Sequence, residues 1–522
     1  MLPVLTPAES AALDRESVAR GVTVDSLMEN AGRAVARSTA ALMGRTYGRR
    51  AVVVCGKGNN GGDGLVAARY LERWGTGVAV ILMSDPSSYR DAARENFRRF
   101  VEWGGRWKPY TGQTAVRELG RADVIVDAIF GTGFRGSPKG DYRDAVRAIN
   151  ESMAPVVAVD IPSGVEGETG AVRGEAVRAE VTVTFGALKP GLVLYPGAAH
   201  AGEVEVADIG FPPDLIRSDL GMVEAEDAAA LLMRRDPETH KRSSGVVLVL
   251  AGSRAMTGAA ILSASAAYRA GAGLVTVAVP EGILGVVEGA ITEATFLPLP
   301  ETAEGSVSDA AWPILGERLE SVDAAAIGPG LTAGPGTVEL VRKLVAKAPA
   351  PFVLDADGLN AFAGRGALLA ERRADAVITP HAGEFGRVTG LSSGEVQEDR
   401  VGHARKAATE FRCTVLLKGS RTVVAEPDGT ARINPTGGPF LATAGTGDVL
   451  TGVIGAFLAR GLRPMDAAIL GAFVHGAAGR LASAELGEGT VAGDVMEQVP
   501  EAVDALRRLG NGPAGAPRAP KG

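Results

Sequence analysis
The sequence predicts two consecutive α/β domains, each built on a mostly parallel sheet with helices on both faces. Three observations lead there. At 522 residues the chain is too long for one ordinary hydrophobic core. Short β-branched runs alternate with amphipathic stretches up to about residue 210, and the alternation restarts at Val246–Leu250. The strand runs are apolar throughout and do not alternate with polar residues, as strands covered on both faces require.

In the first domain, residues 1–214, helices are expected at Ala8–Arg20 and Val24–Leu42. Strands follow at Ala51–Cys55, Val78–Met83, Asp123–Asp127, Val156–Asp160 and Val181–Phe185, with helices Leu65–Arg73, Ala92–Trp103 and Tyr142–Asn150 between them. This is a Rossmann-like, doubly wound arrangement. The Pro- and charge-containing stretch Phe211–Arg242 reads as the join. The second domain, residues 220–510, predicts strands at Val246–Leu250, Leu274–Val279, Ala324–Ile327, Phe352–Leu354, Ala376–Ile378 and Thr414–Lys418. A hairpin from Thr422–Ala425 to Ala431–Ile433 turns at Pro427-Asp428-Gly429. Residues 511–522, rich in Gly, Pro and Ala, are expected to be a disordered tail.

Composition bounds the function. Hydrophobic residues make up 46% of the chain and charged residues 22%, the balance of a soluble globular protein. A net charge of −7 without a concentrated basic segment argues against a general nucleic-acid binder. The only two cysteines, Cys55 and Cys413, lie in apolar runs and are expected to be buried free thiols. Met1–Arg20 carries acids and has no continuous apolar core, unlike a signal peptide. No run of about 18 uninterrupted apolar residues suggests a membrane span. A cytoplasmic location is expected.

Two glycine-rich turns carry the chemistry. Thr443-Ala444-Gly445-Thr446-Gly447-Asp448 opens an apolar helix, Val449–Leu458. Glycines let the backbone approach a ligand, and free amides at a helix start stabilise developing negative charge. A carboxylate beside them suits proton removal from a hydroxyl while phosphate charge builds next to it. A plain Gly-rich cap would explain this segment alone. In the first domain, Gly56, Gly58 and Gly61 fit the fingerprint G-x-G-x-x-G after a strand and before a helix. Asn59, Asn60 and Asp63 add amide and carboxylate groups that an ordinary phosphate loop lacks. The loops Asp127–Gly136 and Asp160–Gly164 also leave strand ends, so Asn60, Asp127, Asp160 and Ser163 are expected to converge, and their oxygens suit a hard cation. Each aspartate taken singly is explained equally well as a helix cap.

Cys55–Gly64, the Asp127 loop, Asp160–Gly164, Leu27–Gly32 and Phe185–Gly191 together resemble the N-terminal domain of NAD(P)H-hydrate epimerases over residues 10–210. The resemblance implies that Asn59, Asn60, Gly61, Gly62 and Asp63, with Gly131, Thr132, Gly133, Phe134, Arg135, Gly136, Ser137 and Asp160, bind the hydrated nicotinamide nucleotide. It further implies that Asn60, Asp127 and Ser163 ligate potassium and that Asp160 is the acid/base.

In the second domain, Lys418-Gly419-Ser420-Arg421-Thr422 offers cations for a diphosphate, and His381, between Pro380 and a Gly turn, reads as site-facing. Residues 240–480 resemble the ribokinase-like superfamily and, within it, the ADP/ATP-dependent NAD(P)H-hydrate dehydratases. Leu250–Ser253, Thr257–Ala260, Ala270–Val277, Gly328–Leu331, Thr379–Phe385, Lys418-Gly419 and Gly445–Asp448 carry that likeness. It implies Ala259, Gly330, His381 and Asp448 for the hydrate, and Lys418, Gly419, Ser420, Arg421, Thr422, Gly445, Thr446 and Gly447 for ADP. Asp448 is then catalytic. Potassium, magnesium and ADP as co-substrate are implied, as is a homo-oligomer acting on hydrated NADH and NADPH without nucleic-acid or membrane partners. The rival readings are a ribokinase-like vitamin or sugar kinase, which leaves the first domain without a purpose, and a non-catalytic nucleotide-binding scaffold.

Overall fold
A computed structural model describes residues 1–232, 238 and 240–510. The chain divides into two compact units, Leu2–Ser218 and Asp219 onward. The expected tail, 511–522, lies outside the described residues, as do 233–237 and 239 within the expected join.

The first unit is built on a parallel seven-stranded sheet. Its order is Trp107–Pro109, Gly77–Leu82, Arg50–Cys55, Val124–Ala128, Val156–Val159, Val181–Phe185, Glu203–Ala207. Successive side chains alternate faces, so one apolar run feeds two cores. Ala51, Val53 and Cys55 pack with Val35 and Leu65 from the helices Val24–Met43 and Asn59–Arg73. Val52 and Val54 pack with Leu119 and Ile149 from the helices Gly112–Leu119 and Asp141–Asn150. The helix Gly112–Leu119 and the edge strands Trp107–Pro109 and Glu203–Ala207 carried no sequence expectation. The strands are short or charge-bearing, so they lack the continuous apolar run that marks the central ones.

One correction matters for chemistry. The helix expected from Leu65 begins at Asn59, so Asn59–Asp63 form its first turns and are not a loop. Gly61 makes this possible: a Cβ there would sit 1.9 Å from the Gly56 carbonyl oxygen.

The second unit carries a sheet in which Leu220–Met222, Ala431–Ile433, Val423–Ala425, Thr414–Leu417, Ala376–Ile378, Phe352–Leu354, Ala324–Ile327, Val246–Leu250, Leu274–Pro280 and Thr295–Leu299 are neighbours in that order. Pairing is parallel except on either side of Val423–Ala425, the hairpin strand. The stretch expected to be a join contains the strand Leu220–Met222 and the helix Ala225–Leu231 of this unit. The helices Thr446–Ala459 and Pro464–Leu486 are apolar nearly all round and therefore lie in the core. Gly452 lets Thr446–Ala459 approach the helix Thr257–Arg269 closely, since a Cβ would meet the Ser263 carbonyl oxygen at 2.0 Å.

The expectation that no segment matches a membrane span is amended in one respect. By length and composition Pro464–Gly489 would pass, but 72% of its most apolar window is buried inside the protein. Cys55 and Cys413 are free and buried.

Candidate active sites
In the first sheet the strand order reverses at Arg50–Cys55, which lies between Gly77–Leu82 and Val124–Ala128. The chain therefore leaves in opposite directions from this point and opens a crevice at the carboxyl ends of the strands. A cavity of about 740 Å³ is found there. Asn59, Asn60, Asp63, Gly131, Thr132, Gly133, Phe134, Arg135 and Asp160 line it.

Four sequence-assigned residues do not reach this cavity. Gly61 and Gly62 are buried in the helix, packed against Gly56 and Met28, so close packing accounts for both glycines. The Gly136 amide donates to Glu166 Oε1 at 2.8 Å, and Ser137 lines a separate depression with Lys139, Arg143 and Arg173.

Beneath the cavity, Asp127 is fully buried. It accepts from Ser163 Oγ at 2.7 Å, the Ser163 amide at 2.8 Å and the Ile129 amide at 3.2 Å. Ser163 Oγ accepts from the Phe130 amide at 2.9 Å, and Asn60 Nδ2 donates to the Phe130 carbonyl at 2.8 Å. Asn60 and Ser163 thus both bond Phe130, and Asp127 is bonded to Ser163 and to the neighbouring Ile129 amide. Burial raises the Asp127 carboxyl to about 6, opposed by the hydrogen bonds from Ser163 and Ile129. A buried carboxylate that forms no ion pair with any described residue is a site a monovalent cation fits.

Asp160 sits at a strand end with φ of +63°, a left-handed conformation that is costly for a residue with a Cβ. Its Oδ1 accepts from Lys189 Nζ at 2.8 Å and Thr184 Oγ1 at 3.0 Å. Lys189 is almost fully buried and also donates to Thr184 Oγ1 and the Phe185 carbonyl, each at 2.8 Å. Sequence reasoning gave Lys189 no role, although a lysine between an apolar strand and a proline was the available signal.

In the second unit, a cavity of about 610 Å³ is lined by Asp355, His381, Glu384, Lys418, Gly419, Gly445, Thr446, Gly447 and Asp448, among others. As in the first unit, the glycine segment is the first turn of a helix, which starts at Thr446 and not at Val449. Gly445 is its N-cap with φ of +89°. The Thr446, Gly447 and Asp448 amides therefore fall where no preceding helix carbonyl can accept them.

Lys418 Nζ donates to Asp355 Oδ1 at 2.6 Å and lies 3.6 Å from Glu384 Oε2. Burial acts against the Lys418 ammonium, but Asp355, Glu384 and Asp448 outweigh it and raise the group above its ordinary value. The second Asp355 oxygen accepts from Thr451 Oγ1 at 2.8 Å. Half-buried Asp448 is pushed up to about 7, first by burial and then by Asp355, with Lys418 opposing.

The remaining assignments need correction or refinement. Ser420 and Arg421 present their carbonyls to the buried Arg400 guanidinium at 2.5 and 3.0 Å, and Arg421 itself donates to the Pro435 carbonyl at 2.8 Å. Thr422 Oγ1 is spent on the Gly419 carbonyl at 3.1 Å. None of the three lines the cavity. Nor do Ala259 and Gly330, which meet each other where this second sheet reverses order, at Val246–Leu250. A link remains: the Thr332 amide donates to Asp357 Oδ2 at 2.9 Å, and the Asp357 charge acts on Asp448. His381 lines the cavity but is also a helix cap. Its Nδ1 accepts from the Gly383 and Glu384 amides, while Glu384 Oε2 accepts from the His381 amide at 2.8 Å. Glu384, missed from sequence, was visible as the acidic partner of that capping pattern.

Both units match known families. Residues 24–191 match the YjeF-related protein N-terminus and residues 247–501 the NAD(P)H-hydrate dehydratase model. The bifunctional NAD(P)H-hydrate repair enzyme of Moorella thermoacetica is 44% identical over 508 residues, covering 95% of this chain and 96% of that one. That of Thermofilum pendens is 43% identical, covering 97% of each. The Bacillus subtilis ADP/ATP-dependent NAD(P)H-hydrate dehydratase, co-crystallised with ATP/Mg2+, is 32% identical with a TM-score of 0.49, covering 56% of this chain and all of that one. With an epimerase-type and a dehydratase-type domain each carrying its own cavity, and with such identity along nearly its whole length, the chain belongs to the family of bifunctional NAD(P)H-hydrate repair enzymes.

Proposed function
We propose that the first unit interconverts the R and S hydrates of NADH and NADPH, and that the second dehydrates the S form at the expense of ADP, giving AMP and phosphate. The observation that carries the second assignment is Asp448, set among the first-turn amides of Thr446–Ala459 and beside the Lys418–Asp355 pair. Hydroxide leaves poorly, and a phosphate ester leaves well. In this reading Asp448 takes the proton of the ring hydroxyl as its oxygen attacks the terminal phosphorus of ADP, and the bond to the bridging oxygen breaks to release AMP. The amides of Thr446 and Gly447 stabilise the charge on the transferring group. The ring nitrogen lone pair then expels phosphate, and loss of a proton from the neighbouring ring carbon restores the reduced ring. Lys418 and Gly419 flank the nucleotide phosphates; magnesium accompanies them as counter-ion, because Asp355 and Glu384 already face Lys418.

A base that must be ionised sets the pH dependence. Burial pushes Asp448 up to about 7, so dehydration kcat/KM should rise with pH through about 7 and level off above it. A profile flat from acid to alkaline pH would remove Asp448 from the base role.

For the epimerase, Asp160 is the proposed acid/base. Its Oδ1 is held by Lys189 and Thr184, and Oδ2 is left for the hydrate. Replacing Asp160 with Asn in the full chain should lower epimerisation by about 10²–10⁴-fold and leave ADP-dependent dehydration of the S hydrate unchanged. Equal epimerisation by both proteins would refute the assignment.

Potassium held by Asn60, Asp127 and Ser163 would neutralise the buried Asp127 charge and offer a positive site to the nucleotide's phosphates. Exchanging potassium for a large organic cation should therefore weaken hydrate binding to the first unit, measured calorimetrically, with no change in ADP binding. The family resemblance also carries a cytoplasmic homo-oligomer into this proposal, and sedimentation of the full chain tests the assembly.

A further inference from the structure
Inverting a hydroxyl-bearing carbon by loss and return of water takes a proton on one face and releases one on the other. Asp160 is one carboxyl in the first cavity. Asp63 is a second, and its surroundings are different. It comes from the first turns of the helix following Arg50–Cys55, whereas Asp160 ends Val156–Val159; the strand Val124–Ala128 lies between the two. Both side chains line the same cavity. Asp160 is ion-paired with Lys189, but Asp63 is only 8% exposed and makes no hydrogen bond or ion pair with any described residue. A buried carboxyl with no partner among the described residues, facing a ligand cavity, is costly unless the ligand or a proton completes it.

We propose that Asp63 is a second catalytic residue of the epimerase, acting as the acid to Asp160's base. The inference rests on the epimerase reading of this cavity. Asp63 gives its carboxylic proton to the ring hydroxyl. The carbon–oxygen bond breaks, water leaves, and the ring nitrogen lone pair forms the carbon–nitrogen double bond of an iminium. Water then adds to the opposite face, the nitrogen regains its lone pair, and Asp160 takes the proton released by the incoming water. One water leaves and one returns. The proton gained by Asp160 passes back to Asp63 through bound water, and the reverse inversion exchanges the two roles. Burial raises Asp63 well above the usual carboxylate range, and the nearby Asp160 and Asp14 charges raise it further, which suits a group that must begin protonated. The other charged groups lining the cavity are Lys57, Arg135 and Lys189.

The test uses the full chain with Asp63→Asn, Asp63→Glu and Asp160→Asn. Asparagine keeps the shape of the neutral carboxyl but has no acidic proton. Its epimerisation kcat should fall about 10²-fold or more with KM held within about threefold, and the alkaline fall-off of the wild-type profile should disappear. Glutamate should recover part of kcat. In oxygen-18 water the wild type should label the ring hydroxyl with each inversion. Asp63 is discarded as the acid if Asn and Glu variants lose kcat equally, if only KM rises, or if inversion occurs without label. If Asp63→Asn is active while Asp160→Asn is dead, this inference alone falls. If neither substitution affects epimerisation, the epimerase reading of this cavity falls with it.

Discussion

Replacing Asp448 with Asn should lower ADP-dependent dehydration by about 10²–10⁴-fold, with epimerisation in the first unit unaffected. Asparagine has the size of the aspartate and still reaches into the cavity, so any loss reports proton acceptance and not shape. The carboxylate is half-buried, repelled by Asp355, Asp357 and Glu384, and attracted by Lys418. Burial first, and then these opposing charges, push it up to about 7, where it can hold a proton briefly and release it to solvent. Removing the negative charge also relieves the repulsion on Asp355, so the variant should be no less stable than wild type. The measurement is steady-state formation of NADH from its S hydrate with ADP, alongside thermal unfolding. Turnover by the Asn variant within about fivefold of wild type would mean that Asp448 is only a favourable charge in the first turn of its helix.

Gly61→Ala should be the most damaging small substitution in the first unit. In a helix interior alanine is ordinarily favoured over glycine by about 1 kcal/mol. Here its Cβ would lie 1.9 Å from the Gly56 carbonyl oxygen, a backbone atom that cannot swing aside. Gly56 is itself constrained, since a Cβ on it would meet the Ile129 carbonyl oxygen at 2.0 Å. The turn after Arg50–Cys55 and the Asp127 loop are thus packed backbone to backbone, and the strain would pass directly to Asn60 and Asp127. A net cost of about 3 kcal/mol is expected from such overpacking. Denaturant unfolding of the first unit in the full chain checks it, with loss of epimerisation at temperatures where the second unit still dehydrates. An alanine variant with wild-type unfolding would show that the turn relaxes freely.

Much of this architecture is written along the chain. Runs such as Ala51–Cys55 and Val246–Leu250 are apolar at every position, and only a strand covered on both faces uses such a run. The glycine turns before Asn59 and Thr446 were equally plain. Their helix starts were placed too late, because glycines read locally as breakers, whereas in the fold they admit neighbouring backbones and allow the helix to begin within the turn. The strand Glu203–Ala207 escaped notice because its glutamates are satisfied by exposure at a sheet edge.

The residues able to touch a ligand were partly legible. Asp63, Asn60, Asp160, His381, Lys418 and Asp448 all line cavities. Ser420, Arg421 and Thr422 were grouped with Lys418 by adjacency alone, but successive residues leaving a strand point to different sides, and the carbonyls of Ser420 and Arg421 are turned to Arg400. By itself the sequence determined two parallel-sheet domains, the two glycine-primed helix starts and the carboxylates beside them, because periodicity and motif spacing are local properties. Only the tertiary structure decided that Lys189 would hold Asp160, that Asp355 and Glu384 would surround Lys418, and that Asp63 would face the cavity with no partner among the described residues. Those pairings join residues that follow different strands, and the energy of a buried charge depends on what the fold brings to it.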